Sequence, residues 1–230
     1  VFSLDELLAK FSKGRIGMAK SEQEELKRED PIEIAIVGDL TEHEAELTQQ
    51  LLAVPRGGEC TLFFDSPGGS PYCAMSLMSL ILLRNLKATG FVTGECSSAT
   101  LWVFASCYKR FVTPFSVLLF HPMKWQSEEH IGLSEAAEWA RHFGHLETEM
   151  DSMLAELLQV DMQSISSWIT PGRYVSGREF AEAGFANLIK FQELPSFSVS
   201  KDHSADNKLV AEKTGDNGNG AQTVAKRVKS

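Results

Sequence analysis

Short apolar runs broken by polar turns make up the first half of the chain, and a long one-sided periodic segment dominates the second. Glu33-Ile34-Ala35-Ile36-Val37 predicts a first strand ended by Gly38, and Thr41 to Val54 predicts a helix capped by Thr41 with Glu44 three residues on. Cys60 to Phe64 is a continuous apolar run of strand length, the pattern of a strand buried on both faces. Ser70 can cap the following helix, and Pro71 suits its first position because no amide hydrogen is needed there. That helix, through about Leu86, is apolar nearly all round, which predicts an internal position. Thr89 to Thr93, Arg110 to Thr113 and Val117 to Phe120 predict three more strands, with a helix begun by Ser98 among them. Strands and helices in alternation predict an α/β domain.

From Leu133 to Leu158, residues Ala136, Ala137, Ala140, Phe143, Met150, Met153, Leu154 and Leu157 form one apolar stripe beside Glu135, Glu138, Arg141, Glu147 and Glu149. This predicts a long helix with one packing or subunit-contact face. Asp161 caps a short helix to Trp168, Pro171-Gly172 makes a turn, and Ser176 with Glu179 forms a capping box for a helix stopped near Gly184. Residues 1–31, almost wholly polar from Lys20 to Asp30, read as an N-terminal arm and linker; 32–195 read as the domain; 196–230, polar and low in complexity, read as a disordered tail.

Composition narrows the function classes. A chain of 230 residues with 43% hydrophobic content supports one well-buried domain. Its formal charge of −9 argues against a nucleic-acid partner, since phosphate contacts need clustered Lys and Arg. Cys60, Cys73, Cys96 and Cys107 show no metal-ligand spacing and sit in apolar runs, where thiols behave as small hydrophobes. His43, His130, His142 and His145 do not form a metal site by spacing, so neither a metal nor a cofactor is expected. Val1 to Lys13 lacks the features of a signal peptide, and no apolar stretch approaches the ~20 residues that span a bilayer. A cytoplasmic protein without membrane contact is the expectation.

Three segments carry candidate chemistry: Ser66-Pro67-Gly68-Gly69-Ser70 after an apolar run, Gly94-Glu95-Cys96-Ser97-Ser98-Ala99, and Leu118-Leu119-Phe120-His121-Pro122. A hydroxyl at a helix N-terminus lies beside unpaired N–H groups and the positive end of the helix dipole, where an oxyanion is stabilised. A histidine at a strand end can serve as its base. Taken singly, Pro-Gly-Gly is a turn, serine a helix cap and histidine a satisfied strand-end residue. Their joint order carries the inference.

In that order and spacing the residues resemble the proteolytic subunit of the Clp protease, the ClpP family: Ser66-Pro67-Gly68-Gly69, then Gly94 to Ser98, then a strand ending in His121, then Arg173-Tyr174-Val175-Ser176. The similarity runs from about Glu33 to Ile189. It implies a ClpP/crotonase-like α/β spiral of β-β-α units with a long protruding helix at about 133–158. It also implies a serine peptidase that hydrolyses unfolded polypeptides in the chamber of a homo-oligomeric ring, with an AAA+ unfoldase and other ClpP-like subunits as partners. By this resemblance Ser98 attacks, His121 takes its proton, and the Gly69 and Ala99 N–H groups hold the oxyanion. Ser97 is the rival nucleophile, but the four-residue offset from Gly94 favours Ser98.

The chain departs from the family at the triad acid, whose position before the Arg-aromatic pair holds Gly172. Asp161, Glu128, Glu129, or the Thr170 hydroxyl through water are the substitutes the sequence offers. A second departure follows His121, where Met123-Lys124-Trp125-Gln126-Ser127-Glu128-Glu129 replaces the family's glycine-rich, substrate-binding strand. The N-terminal arm also lacks the family's axial-loop pattern. Two alternatives therefore stand beside the peptidase: a catalytically impaired structural subunit or peptide-binding scaffold, and acyl-CoA chemistry on the crotonase fold.

Overall fold

In the computed structural model, which describes residues 31–126 and 130–194, five strands form a parallel run in the order β1 (Ile32–Asp39), β2 (Glu59–Gly68), β3 (Lys87–Ser97), β4 (Lys109–Val112) and β7 (Asn187–Leu188). A branch leaves this path where the last residues of β3 pair with β5 (Val117–Phe120), which pairs in turn with the antiparallel β6 (Arg173–Ser176). One strand therefore serves two neighbours, β4 along its first half and β5 along its second. The fork brings the ends of β2, β3 and β5 together. The arm up to residue 30, the tail from residue 195, and Glu128 and Glu129 lie outside the described residues.

Between the strands run α1 (Leu40–Ala53), α2 (Pro71–Leu83) and α3 (Thr100–Ala105), followed by α4 (Leu133–Leu158), α5 (Met162–Ile169) and α6 (Gly177–Glu182). The start of α1 differs from the sequence expectation: Asp39, not Thr41, is the cap, its carboxylate accepting from the Thr41 N–H at 2.7 Å. Ser70 caps α2 through the Tyr72 N–H, with Pro71 in the first turn, and α2 ends at Leu83 rather than near Leu86 because Asn85 turns left-handed at φ 51°. Asp161 caps α5, and Ser176 with Glu179 closes a reciprocal capping box on α6.

The core is one continuous cluster. Ile34, Ile36, Leu62, Phe64, Ala88 and Val92 alternate on the sheet, and Leu77, Ile81, Val103 and Phe104 cover it from α2 and α3. Burying a side chain of this kind contributes about 1.5–3 kcal/mol, so the sheet and its helices set the site's framework. Of α4, only Met150, Leu154, Ala155 and Leu158 are buried, all in its second half, while Leu133 at its start is 89% exposed. Trp102 Nε1 donates to the Met150 carbonyl at 2.8 Å and ties α3 to α4. All four cysteines are free and buried, and burial pushes the Cys60 and Cys73 thiols up to about 11 and also raises those of Cys96 and Cys107. No described helix is long and apolar enough to cross a membrane.

Candidate active site

Ser98 is not a helix cap. β3 runs on through Ser97, α3 begins only at Thr100, and Ser98 stands between them in the left-handed region at φ 54°. A serine in that conformation is strained at a cost on the order of 1 kcal/mol and must be held by its surroundings. Two neighbours hold it: the Ser98 N–H donates to the Leu119 carbonyl at 2.9 Å, and the Ser98 carbonyl accepts from Leu101 N at 3.0 Å. The strand-to-helix elbow turns the Ser98 side chain out of the core into a cavity of about 140 Å³, lined by Gly69, Pro71, Ser98, Ala99, Trp102, His121, Met123 and Lys124. All four residues singled out from the sequence, Gly69, Ser98, Ala99 and His121, line it. Ser97 does not; its side chain is buried, and its hydroxyl finds no hydrogen-bond partner among the described residues.

Gly68 and Gly69 press on different neighbours. Gly68, at φ 115°, is the one pressed against the Ser98 elbow: a Cβ there would lie 2.7 Å from Ser98 Cβ and 3.2 Å from Ala99 N. Gly69, at φ 141°, faces the start of α1, where a Cβ would meet Asp39 Oδ1 at 2.6 Å and Thr41 Oγ1 at 3.0 Å. Gly94 is required by the Asp65 carboxylate, which packs against it and accepts the Glu95 N–H at 3.0 Å. Ser66 is structural. Its buried hydroxyl donates to the Gly38 carbonyl at 2.6 Å, shares a hydrogen bond of 2.9 Å with Thr100 Oγ1 and accepts from Gly68 N at 3.2 Å. It thereby joins β1, the Gly-Gly loop and α3 beneath the cavity floor.

His121 follows the last residue of β5, and its Nδ1 lies 2.6 Å from the Pro122 carbonyl oxygen. No hydrogen bond joins its ring to Ser98 Oγ among the described residues. Gly172, at φ 123°, lies directly beside it, with a would-be Cβ 3.4 Å from His121 Cβ. Residue 172 thus adjoins His121 and presents no side chain to it. Asp161 is committed to capping α5, its two oxygens bonded to Ser164 N and Oγ at 2.9 and 2.7 Å, which holds its carboxyl below the usual range. Thr170 donates its backbone N–H to Ser166.

The segment after His121 forms no strand. It is docked on α4 instead: the Trp125 ring stacks on Phe143, and the Met123 N–H donates to Glu147 Oε1 at 2.7 Å. The sequence marked Met123 and Lys124 only as part of a departure from the family, and it gave no sign of Trp102 in α3 or Glu147 in α4. Nothing in the local pattern marks them, because Glu147 is legible only as one charge on a solvated helix face. Among the described residues no cluster of three or more His, Cys, Asp and Glu side chains could hold a metal ion.

Comparison with curated proteins finds no match to this chain. Comparison with known families matches residues 20–193, which include β1 to β7, the elbow at Ser98 and His121, to one described as Clp protease. A match over that much of the sequence, on a mixed α/β fold with a parallel sheet, shows that the chain belongs to the Clp protease family.

Proposed function

We propose that the chain is a ClpP-like serine peptidase in which Ser98 is the nucleophile, His121 the general base, and the Ala99 and Gly69 N–H groups the oxyanion donors. The observation that carries this reading is that all four line one cavity, with Ser98 on a left-handed elbow between strand and helix. In the reaction, Ser98 Oγ bonds to the scissile carbonyl carbon as its proton passes to His121 Nε2. The amide C–N bond then breaks as that proton moves to the leaving nitrogen, and water repeats the sequence on the acyl-enzyme. Substrates are unfolded polypeptides degraded inside an oligomeric ring, with an AAA+ unfoldase and other ClpP-like subunits as partners. With Met123 N engaged by Glu147 and the 121–126 segment packed on α4, a substrate has less free backbone to pair with after His121 than an open strand would offer. A fluorophosphonate probe tests the reading: covalent labelling that vanishes in Ser98→Ala is the expected result, and no labelling at high probe concentration would overturn it.

The catalytically impaired subunit is the second reading, favoured by one observation: Gly172 presents no side chain to His121. Loss of the acid costs roughly 10⁴-fold in well-studied triads. Labelling separates the two readings, and CoA-ester turnover surviving in Ser98→Ala would mark acyl-CoA chemistry instead.

A further inference from the structure

One peptide unit beside the cavity is bonded at both ends. The Pro122 carbonyl oxygen lies 2.6 Å from His121 Nδ1, and the N–H of the same peptide, carried by Met123, lies 2.7 Å from Glu147 Oε1. A carbonyl oxygen can only accept, so Nδ1 carries a proton and donates it. In the neutral ring this leaves Nε2 as the nitrogen with a free lone pair, the tautomer a general base needs. The other end is charge-assisted, because a carboxylate accepts the N–H, and a peptide so polarised places more negative charge on its own carbonyl oxygen.

On the peptidase reading above, we propose that Glu147 is a positioning residue that stands in for the missing triad acid, acting on His121 through the Pro122–Met123 peptide. The chain of donors runs from imidazole Nδ1–H to Pro122 C=O, and from Met123 N–H to the Glu147 carboxylate. During attack the Ser98 proton moves to Nε2 and none crosses the peptide; Nδ1 keeps its hydrogen. The carboxylate reaches the imidazole from α4 rather than from the Gly172 position, over two hydrogen bonds instead of one. Trp125 stacked on Phe143 holds the same segment to the same helix one turn away, which fixes the peptide plane.

The test uses the full chain with ¹⁵N-labelled histidine. In Ser98→Ala, the His121 ring shifts should report Nδ1–H with a bare Nε2; adding Glu147→Ala should give a tautomer mixture, and Glu147→Gln, which can still accept from Met123 N without the charge, should keep the tautomer. Fluorophosphonate labelling of the Ser98 chain should slow about ten-fold in Glu147→Ala and less in Glu147→Gln. Unchanged imidazole shifts with unchanged labelling in both variants would overturn the relay and leave the peptidase standing. Slower labelling without any change at the imidazole would also overturn it, by assigning Glu147 a merely structural part. If the unchanged chain is not labelled at all, the peptidase reading fails, and Glu147's positioning role fails with it. Should Glu147→Ala not fold, Glu147→Gln alone decides through its labelling rate.

Discussion

Gly68 and Ser98 touch backbone to side chain, so closely that a Cβ on residue 68 would stand 2.7 Å from Ser98 Cβ. Real Cβ atoms do not approach like this, and φ at Gly68 is 115° besides. Gly68→Ala must therefore push the elbow out of place, at an expected cost of about 2–3 kcal/mol in unfolding free energy. Urea denaturation measures the cost, and fluorophosphonate labelling should be lost even at temperatures where the variant is folded. A variant as stable and as reactive as the parent would refute the contact.

Ser66 and Ser97 are two buried serines beside the site, and they should respond to substitution in opposite directions. Ser66→Ala leaves the Gly38 carbonyl, Gly68 N–H and Thr100 hydroxyl each short of a buried partner, which predicts a loss of about 2–3 kcal/mol. Ser97→Ala removes a buried hydroxyl that has no partner among the described residues, so it should be neutral or stabilising by up to about 1 kcal/mol. Thermal unfolding of the two variants side by side reads both, and labelling should survive Ser97→Ala.

Restoring an acid at Gly172 meets a backbone obstacle. The expected Asp side chain has room, since its Cβ would make an ordinary contact of 3.4 Å with His121 Cβ, but φ of 123° is a conformation that only glycine adopts freely. Gly172→Asp should therefore lose about 1–3 kcal/mol of stability. Its labelling rate should rise more when introduced into Glu147→Gln than into the parent, because the two carboxylates would serve the same imidazole. Equal effects in both backgrounds would show that they act independently.

Asp151, one turn along α4 from Glu147, has its carboxyl pushed up to about 6 by burial and, secondarily, by the Glu147 charge. The folded chain thus holds this proton more tightly than the unfolded chain. Between about pH 4 and pH 6, folding takes up a proton here, so this residue's contribution to stability falls as pH rises through that window and is flat above it. Asp151→Asn should be more stable than the parent at pH 8 by about 1 kcal/mol, after allowing for solvent screening of a partly exposed group, and little different at pH 4. Guanidinium titrations at the two pH values check the sign.

Local sequence determined a good deal about this protein. Alternating and continuous apolar runs gave β1, β2 and β5 their places, Ser70-Pro71 and Ser176 with Glu179 gave two helix starts, and the motifs singled out Gly69, Ser98, Ala99 and His121, which line one cavity. These signals are readable because side-chain period and capping chemistry act within a few residues. Tertiary structure decided the rest. Whether Ser98 caps a helix or rides a strained elbow depends on Leu119, from a strand about twenty residues away, accepting its N–H. Which glycine must be glycine beside Ser98 depends on how β2 meets β3, and it is Gly68. That the Met123 N–H meets Glu147 of α4 is likewise a contact between groups distant in sequence, which no local period encodes.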